Sequence, residues 1–92
     1  MHIEAAGRPE GCSLLRISAV IEDGIIVSFS VRGDFFASPE TGFENAEQRM
    51  TGIKLSETAS AFNAFLKEEG VEALGINGEG IAELLGNAMD ST

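Results

Sequence analysis

Few residues of this chain could do chemistry by themselves. There is a single histidine, His2, and a single cysteine, Cys12. One thiol cannot form an internal disulfide, and one His with one Cys cannot complete the nitrogen and sulfur set of a zinc site. Cys12 sits in a glycine-rich stretch with Arg8 and Arg16 as its nearest basic residues. A nucleophilic or sulfur-carrying thiol needs a cation or helix start to lower its pKa. The residue therefore reads as a small packing group, with sulfur or metal handling through Cys12 as the alternative. His2 has no evident partner in sequence and reads as part of a frayed terminus. Glu40, Glu44 and Glu47 share one helical flank, and Glu68 adjoins Glu69. Carboxylates act as acid and base, or hold a hard cation, only where they converge in a cleft. Their spacing reads as a solvated face. Gly75-Ile76-Asn77-Gly78-Glu79-Gly80 is glycine-rich but lacks the Lys-Ser/Thr of a phosphate loop and the glycine spacing of a dinucleotide fingerprint. It reads as the entry to a helix. No self-contained active site emerges, which favours a binding or accessory role.

The elements that must position these residues follow from periodicity. Leu15, Ile17, Ala19 and Ile21 alternate with Arg16, Ser18, Val20 and Glu22, and Ile25, Val27, Phe29 and Val31 alternate with Ile26, Ser28, Ser30 and Arg32. Both runs read as strands with one buried face. A two-residue Asp23-Gly24 turn would put Ile25 and Val27 on the face of Glu22 and Val20. A three-residue turn, Glu22-Asp23-Gly24, instead pairs Ile21 with Ile25, Ala19 with Val27, Ile17 with Phe29 and Leu15 with Val31. The three-residue register is expected. Its outer face carries Arg16, Ser18, Ser28, Ser30 and Arg32, either wet or covered by another protein.

Ser38 can cap a helix that begins at Pro39, with Glu40 in its first turn, Phe43, Ala46 and Met50 at helical spacing, and Gly52 as its stop. Ser56 caps a second helix to about Glu69, with a stripe of Ala61, Phe62, Phe65 and Leu66, and Gly70 ends it. Residues 71–76 are too few for a helix and could add a third strand. Asn77 can cap a last helix bearing Ile81, Leu84, Leu85, Ala88 and Met89. The expected fold is α+β: an antiparallel hairpin, with room for a third strand, packed against three helices in the order β-β-α-α-(β)-α.

At 92 residues the chain is expected to be one domain over 1–92, with a loose lead-in at 1–11 and a folded core over 12–90. Net charge is −9, from fifteen acidic and six basic residues. Phosphate backbones need a basic surface, so nucleic acid is an unsuitable partner. No apolar run approaches the length needed to span a bilayer, so no membrane association is expected. Met1-His2-Ile3-Glu4 has neither the basic nor the apolar region of a secretory signal, and a cytoplasmic location is expected.

The densest local signal is Gly33-Asp34-Phe35-Phe36-Ala37-Ser38-Pro39-Glu40. Gly33 ends a strand, Asp34 can bond nearby backbone amides, and adjacent Phe35 and Phe36 cannot point the same way in an extended chain. This stretch, with Leu14-Leu15-Arg16-Ile17, Asp23-Gly24-Ile25-Ile26, Gly52 and Gly75-Ile76-Asn77, resembles the C-terminal accessory domain of lipoate-protein ligases. The resemblance covers roughly residues 8–90.

The resemblance implies a fold similar to that of the iron–sulfur scaffold and sulfur-acceptor proteins, here as a stand-alone small subunit. It implies a non-catalytic partner for a separate lipoate-protein ligase catalytic domain. That large domain would bind lipoate, ATP and magnesium and form lipoyl-adenylate before transfer to a lysine of a lipoyl-carrier domain. This chain alone would hold no cofactor. Gly33, Asp34, Phe35, Phe36, Pro39 and Glu40 match the motif and are expected as structural or interface positions, with Arg16 and Arg32 beside them on the outer hairpin face. A diverged stand-alone binding domain is a further alternative.

Overall fold

The computed structural model describes residues 1–90. Strands β1 (His2–Gly7), β2 (Leu15–Glu22) and β3 (Ile25–Gly33) are followed by a short β4 (Phe36–Ser38) and helix α1 (Glu40–Arg49). A 3-10 turn over Leu55–Glu57 leads into α2 (Thr58–Glu68), then β5 (Glu72–Leu74) and α3 (Gly78–Asp90). The strands form a three-stranded antiparallel sheet in the order β1-β2-β3 and a separate two-stranded sheet of β4 with β5. The fold is α+β, as expected, but its third strand comes from the N-terminal stretch.

Residues expected as a loose lead-in pair fully with β2, from His2 opposite Val20 to Gly7 opposite Leu15. The pattern was hard to see because the inward face of β1 is Ile3, Ala5 and Gly7, mostly too small to register as apolar. Packing explains the small residues. A Cβ at Gly7 would lie 2.9 Å from Leu84 Cδ2 on α3.

The hairpin register also differs from expectation. The turn is Asp23-Gly24 alone, with both residues left-handed (φ 52° and 75°), as a two-residue hairpin of matching twist requires. Glu22 pairs with Ile25 and Ile21 with Ile26, but Val20 pairs with Ser28, leaving Val27 as a bulge. That extra residue inverts the alternation. Ile26 points into the core, Val27 is 46% exposed, and beyond the bulge Phe29 and Val31 face inward again. Parity requires a three-residue turn only where the ladder is unbroken.

On the inner face, Leu15, Ile17, Ala19 and Ile21 of β2 pack with Ile26 and Val31 against the buried stripes of the helices, including Ala46, Phe62, Ile81 and Leu85. Four phenylalanines run in series through this core. Phe29 meets Phe62 at 6.1 Å between ring centroids, Phe62 meets Phe43 at 6.2 Å, and Phe43 meets Phe35 at 5.2 Å. Such offset and edge contacts add to the burial term.

The helix ends are mixed against expectation. Asn77 does cap α3, its Oδ1 accepting from Gly80 N at 2.8 Å. Ser38 does not cap α1; it is the last residue of β4, opposite Glu72, and Pro39 occupies the cap position without a side-chain bond. Ser56 likewise lies inside the 3-10 turn, and it is the buried Thr58 whose hydroxyl donates to Leu55 O at 2.7 Å. Among the described residues no helix is long and apolar enough to cross a membrane.

Candidate functional site

The outer face of the three-stranded sheet is built from three cross-strand rows: Ala6–Arg16–Arg32, Glu4–Ser18–Ser30 and His2–Val20–Ser28. All nine residues are exposed or half-buried. Arg16 stands directly opposite Arg32, an arrangement of like charges that costs stability. Arg32 has some relief, because its Nη1 lies 3.5 Å from Glu47 Oε2. The Arg16 side chain forms no ion pair or hydrogen bond with any described residue.

His2 is no frayed end. Its Nε2 lies 3.1 Å from Ser18 Oγ and 3.3 Å from Glu4 Oε1, and the Ser18 hydroxyl donates to Glu4 at 3.4 Å. Serine, histidine and carboxylate together suggest a relay, but a relay needs the serine and the acid on opposite ring nitrogens. Here both meet Nε2 on an open surface. The cluster is a surface hydrogen-bond network.

Beyond Arg32 the face turns a corner into a groove of about 570 Å³ between the end of β3, β4 and α1. Val31, Phe35, Ala37 and Phe43 give its apolar lining; Glu40, Glu44 and Glu47 come from α1, and Arg32 from β3. The fold thus gathers Arg32, Gly33, Phe35 and Glu40 of the expected positions around one depression. Gly33 is required there because a Cβ would lie 2.1 Å from Leu14 O. The other positions lie outside the groove lining. Pro39 sets the start of α1. The Asp34 carboxylate accepts no backbone amide from the described residues; its own N–H donates to Leu14 O at 3.0 Å. Phe36 points away from Phe35, is 54% exposed, and pairs across strands with Leu74, itself 67% exposed. Glu44 and Glu47 were missed as partners of this junction. Their spacing of four and three residues signalled a stripe on the helix, but not what it faces.

Glu47 does two things at once. It is only 13% exposed, and its Oε2 accepts from Val31 N at 2.8 Å while facing Arg32. A carboxylate therefore satisfies an amide on the free edge of β3, where strand addition would otherwise compete. The same edge is closed further back by the loop after α1, where Ile26 N donates to Ile53 O at 2.9 Å and Gly52 N to Ile26 O at 2.7 Å.

The remaining candidates are tied into packing and hydrogen-bond contacts. Cys12 is half-buried, with its thiol donating to Asn77 Oδ1 at 3.6 Å, and a Cβ on Gly80 would lie 2.5 Å from its sulfur. Among the described residues no group of three or more His, Cys, Asp or Glu is placed to hold a metal. The glycine-rich turn before α3 packs tightly, with Gly78 N donating to Asn63 Oδ1 at 2.8 Å. The Asn63 side chain, which donates to both Glu79 oxygens at 2.9 and 3.1 Å, lowers the Glu79 pKa, with help from a backbone bond at Glu79 itself. A second groove, of about 550 Å³ at the hairpin tip, is lined by Ile25, Leu55, Ala82 and Gly86, with Asp23 and Lys54 also contributing.

No family profile matches the sequence, and no curated protein does. A solved structure matches the fold. It is an archaeal lipoylation system from Thermoplasma acidophilum, a bi-partite lipoate protein ligase and its E2 lipoyl domain. One of its chains aligns with 92% of this one and is itself covered over 97%, at a TM-score of 0.70 and 22% identity. The two chains share a fold over that length.

Proposed function

We propose that this chain is a non-catalytic accessory subunit that binds a separate lipoate-protein ligase catalytic domain and supports lipoate adenylation. The observation that carries the reading is the likeness in fold, over 92% of this chain, to a chain from a bi-partite lipoate ligase system. The Gly33 to Glu40 junction, which resembles that of ligase accessory domains, favours the same reading.

In this reading the chemistry belongs to the partner, which holds lipoate, ATP and magnesium. Lipoate carboxylate attacks the α-phosphate of ATP, pyrophosphate leaves, and the lipoyl-adenylate is then taken by a carrier lysine with release of AMP. The acyl-adenylate is prone to hydrolysis, so a subunit that braces the closed site against water raises the yield of transfer. The outer sheet face with Arg16 and Arg32, and the exposed Phe36 beside the groove, are the surfaces assigned to that contact. A cytoplasmic location alongside the ligase belongs to the same proposal.

The test adds the chain to the lone ligase catalytic domain from the same organism and follows lipoate-dependent pyrophosphate release. Binding with faster release is expected. Absence of both binding and stimulation would sink the proposal.

A further inference from the structure

At the C-terminal end of α1 the guanidinium of Arg49 lies 4.2 Å from the centroid of the Phe65 ring. Its two terminal nitrogens donate to Glu68 at 2.6 Å and Glu69 at 3.2 Å. A ring face and two carboxylates thus hold one cation, by ring quadrupole and by charge-assisted bonds.

The groove at the other end of the same helix also brings a phenylalanine and carboxylates into one lining, with Arg32 as the one cation among its lining residues. Phe35 is half-buried in its lining beside Ala37 and Phe43, and Glu40 and Glu44 stand one helical turn apart along it. Neither carboxylate has a hydrogen bond or ion pair with any described residue. At that spacing they repel one another. Arg32, the cation in the lining, is already engaged by Glu47. Three carboxylates against one guanidinium leave the groove acidic above an apolar floor. That combination suits a long basic side chain, whose methylenes cover apolar surface while its head group meets the acids.

We propose that this groove receives a basic side chain of the ligase partner, an arginine by the internal example. Its stem would lie over Phe35 and its guanidinium between Glu40 and Glu44. The inference rests on the reading under Proposed function and names the chemistry of the contact. Because Arg32 stands where the groove meets the outer sheet face, one partner surface can cover both.

The test is calorimetric titration of the lone ligase catalytic domain with the wild-type chain, with the Glu40→Gln/Glu44→Gln double variant, and with Glu44→Lys. Both positions are exposed, so an unchanged circular dichroism spectrum and at most a small shift in melting are expected for every variant. The double variant is expected to weaken binding by about fivefold or more, and Glu44→Lys further, with both losses shrinking at high salt. Wild-type binding with both variants within about twofold of it would overturn the groove assignment and leave the ligase reading standing. No binding by the wild type would overturn the ligase reading and this inference with it. Self-association of the wild type that Glu44→Lys abolishes would put a second copy in the groove and overturn the proposal.

Discussion

A methyl group added at Gly78 would lie 2.2 Å from Ala59 O, whereas one at Gly86, two turns further along the same helix, meets nothing within 4 Å. The first glycine lets α3 start against α2; the second only lowers helix propensity. Gly78→Ala is therefore expected to destabilise the chain by about 1–3 kcal/mol through overpacking, while Gly86→Ala stabilises it by up to about 1 kcal/mol. Urea midpoints for the pair decide the point, and a neutral Gly78→Ala would refute the packing account. Glu47 offers a second residue-level test. Glu47→Ala leaves the Val31 amide without its acceptor and is expected to cost about 1–3 kcal/mol. Faster hydrogen exchange at Val31 should accompany the loss, and Glu47→Gln, which keeps an acceptor oxygen, should restore most of the protection.

Between elements, the bonds from Asn63 on α2 to Glu79 on α3 tie the two helices and keep Glu79 charged to lower pH than an ordinary glutamate. A carboxyl whose folded pKa is lowered adds stability that is complete above its unfolded pKa and is lost as pH falls through the folded value. Asn63→Ala is expected to raise the Glu79 titration midpoint and to flatten the acid limb of the stability curve. Carbon-detected NMR titration checks it; an unmoved midpoint would assign the shift to another cause. Helices were the legible elements, because wide apolar stripes, stop glycines at Gly52 and Gly70, and the Asn77 cap all act locally. Strands were less so. Strand β1 hid because Ala5 and Gly7 are small where α3 presses on them, and the hairpin register was misread because a bulge leaves no mark on residue type. The short β5 could be anticipated over 71–76, but its pairing with β4 rather than the hairpin depends on where α1 and α2 carry the chain.

At the scale of the whole molecule, the candidate surface was only half readable. Gly33 to Glu40 is contiguous, so its members stood out together. The opposite wall of the groove comes from the middle of α1, and the outer sheet face joins residues from three strands, so both need tertiary structure to appear. Charge reversal at Arg16 and Arg32 is expected to leave folding intact while weakening ligase binding by about tenfold, measured by calorimetry. Unchanged affinity would move the interface off this face. Arg16→Thr alone is expected to relieve the Arg16–Arg32 repulsion and stabilise the free chain by about 0.2–1 kcal/mol, a sign of charge kept for a partner and not for the fold. The bulge has a consequence for chain length. If Val27 were deleted, Ile21 would still meet Ile26 and Val20 would still meet Ser28, so every other side chain would keep its side of the sheet. The deletion is expected to melt cooperatively with an unchanged circular dichroism spectrum; a molten product would show that the extra residue is needed for sheet twist. A tolerated deletion would make Val27 a place where the gene can lose a codon, or regain one, without re-indexing anything downstream.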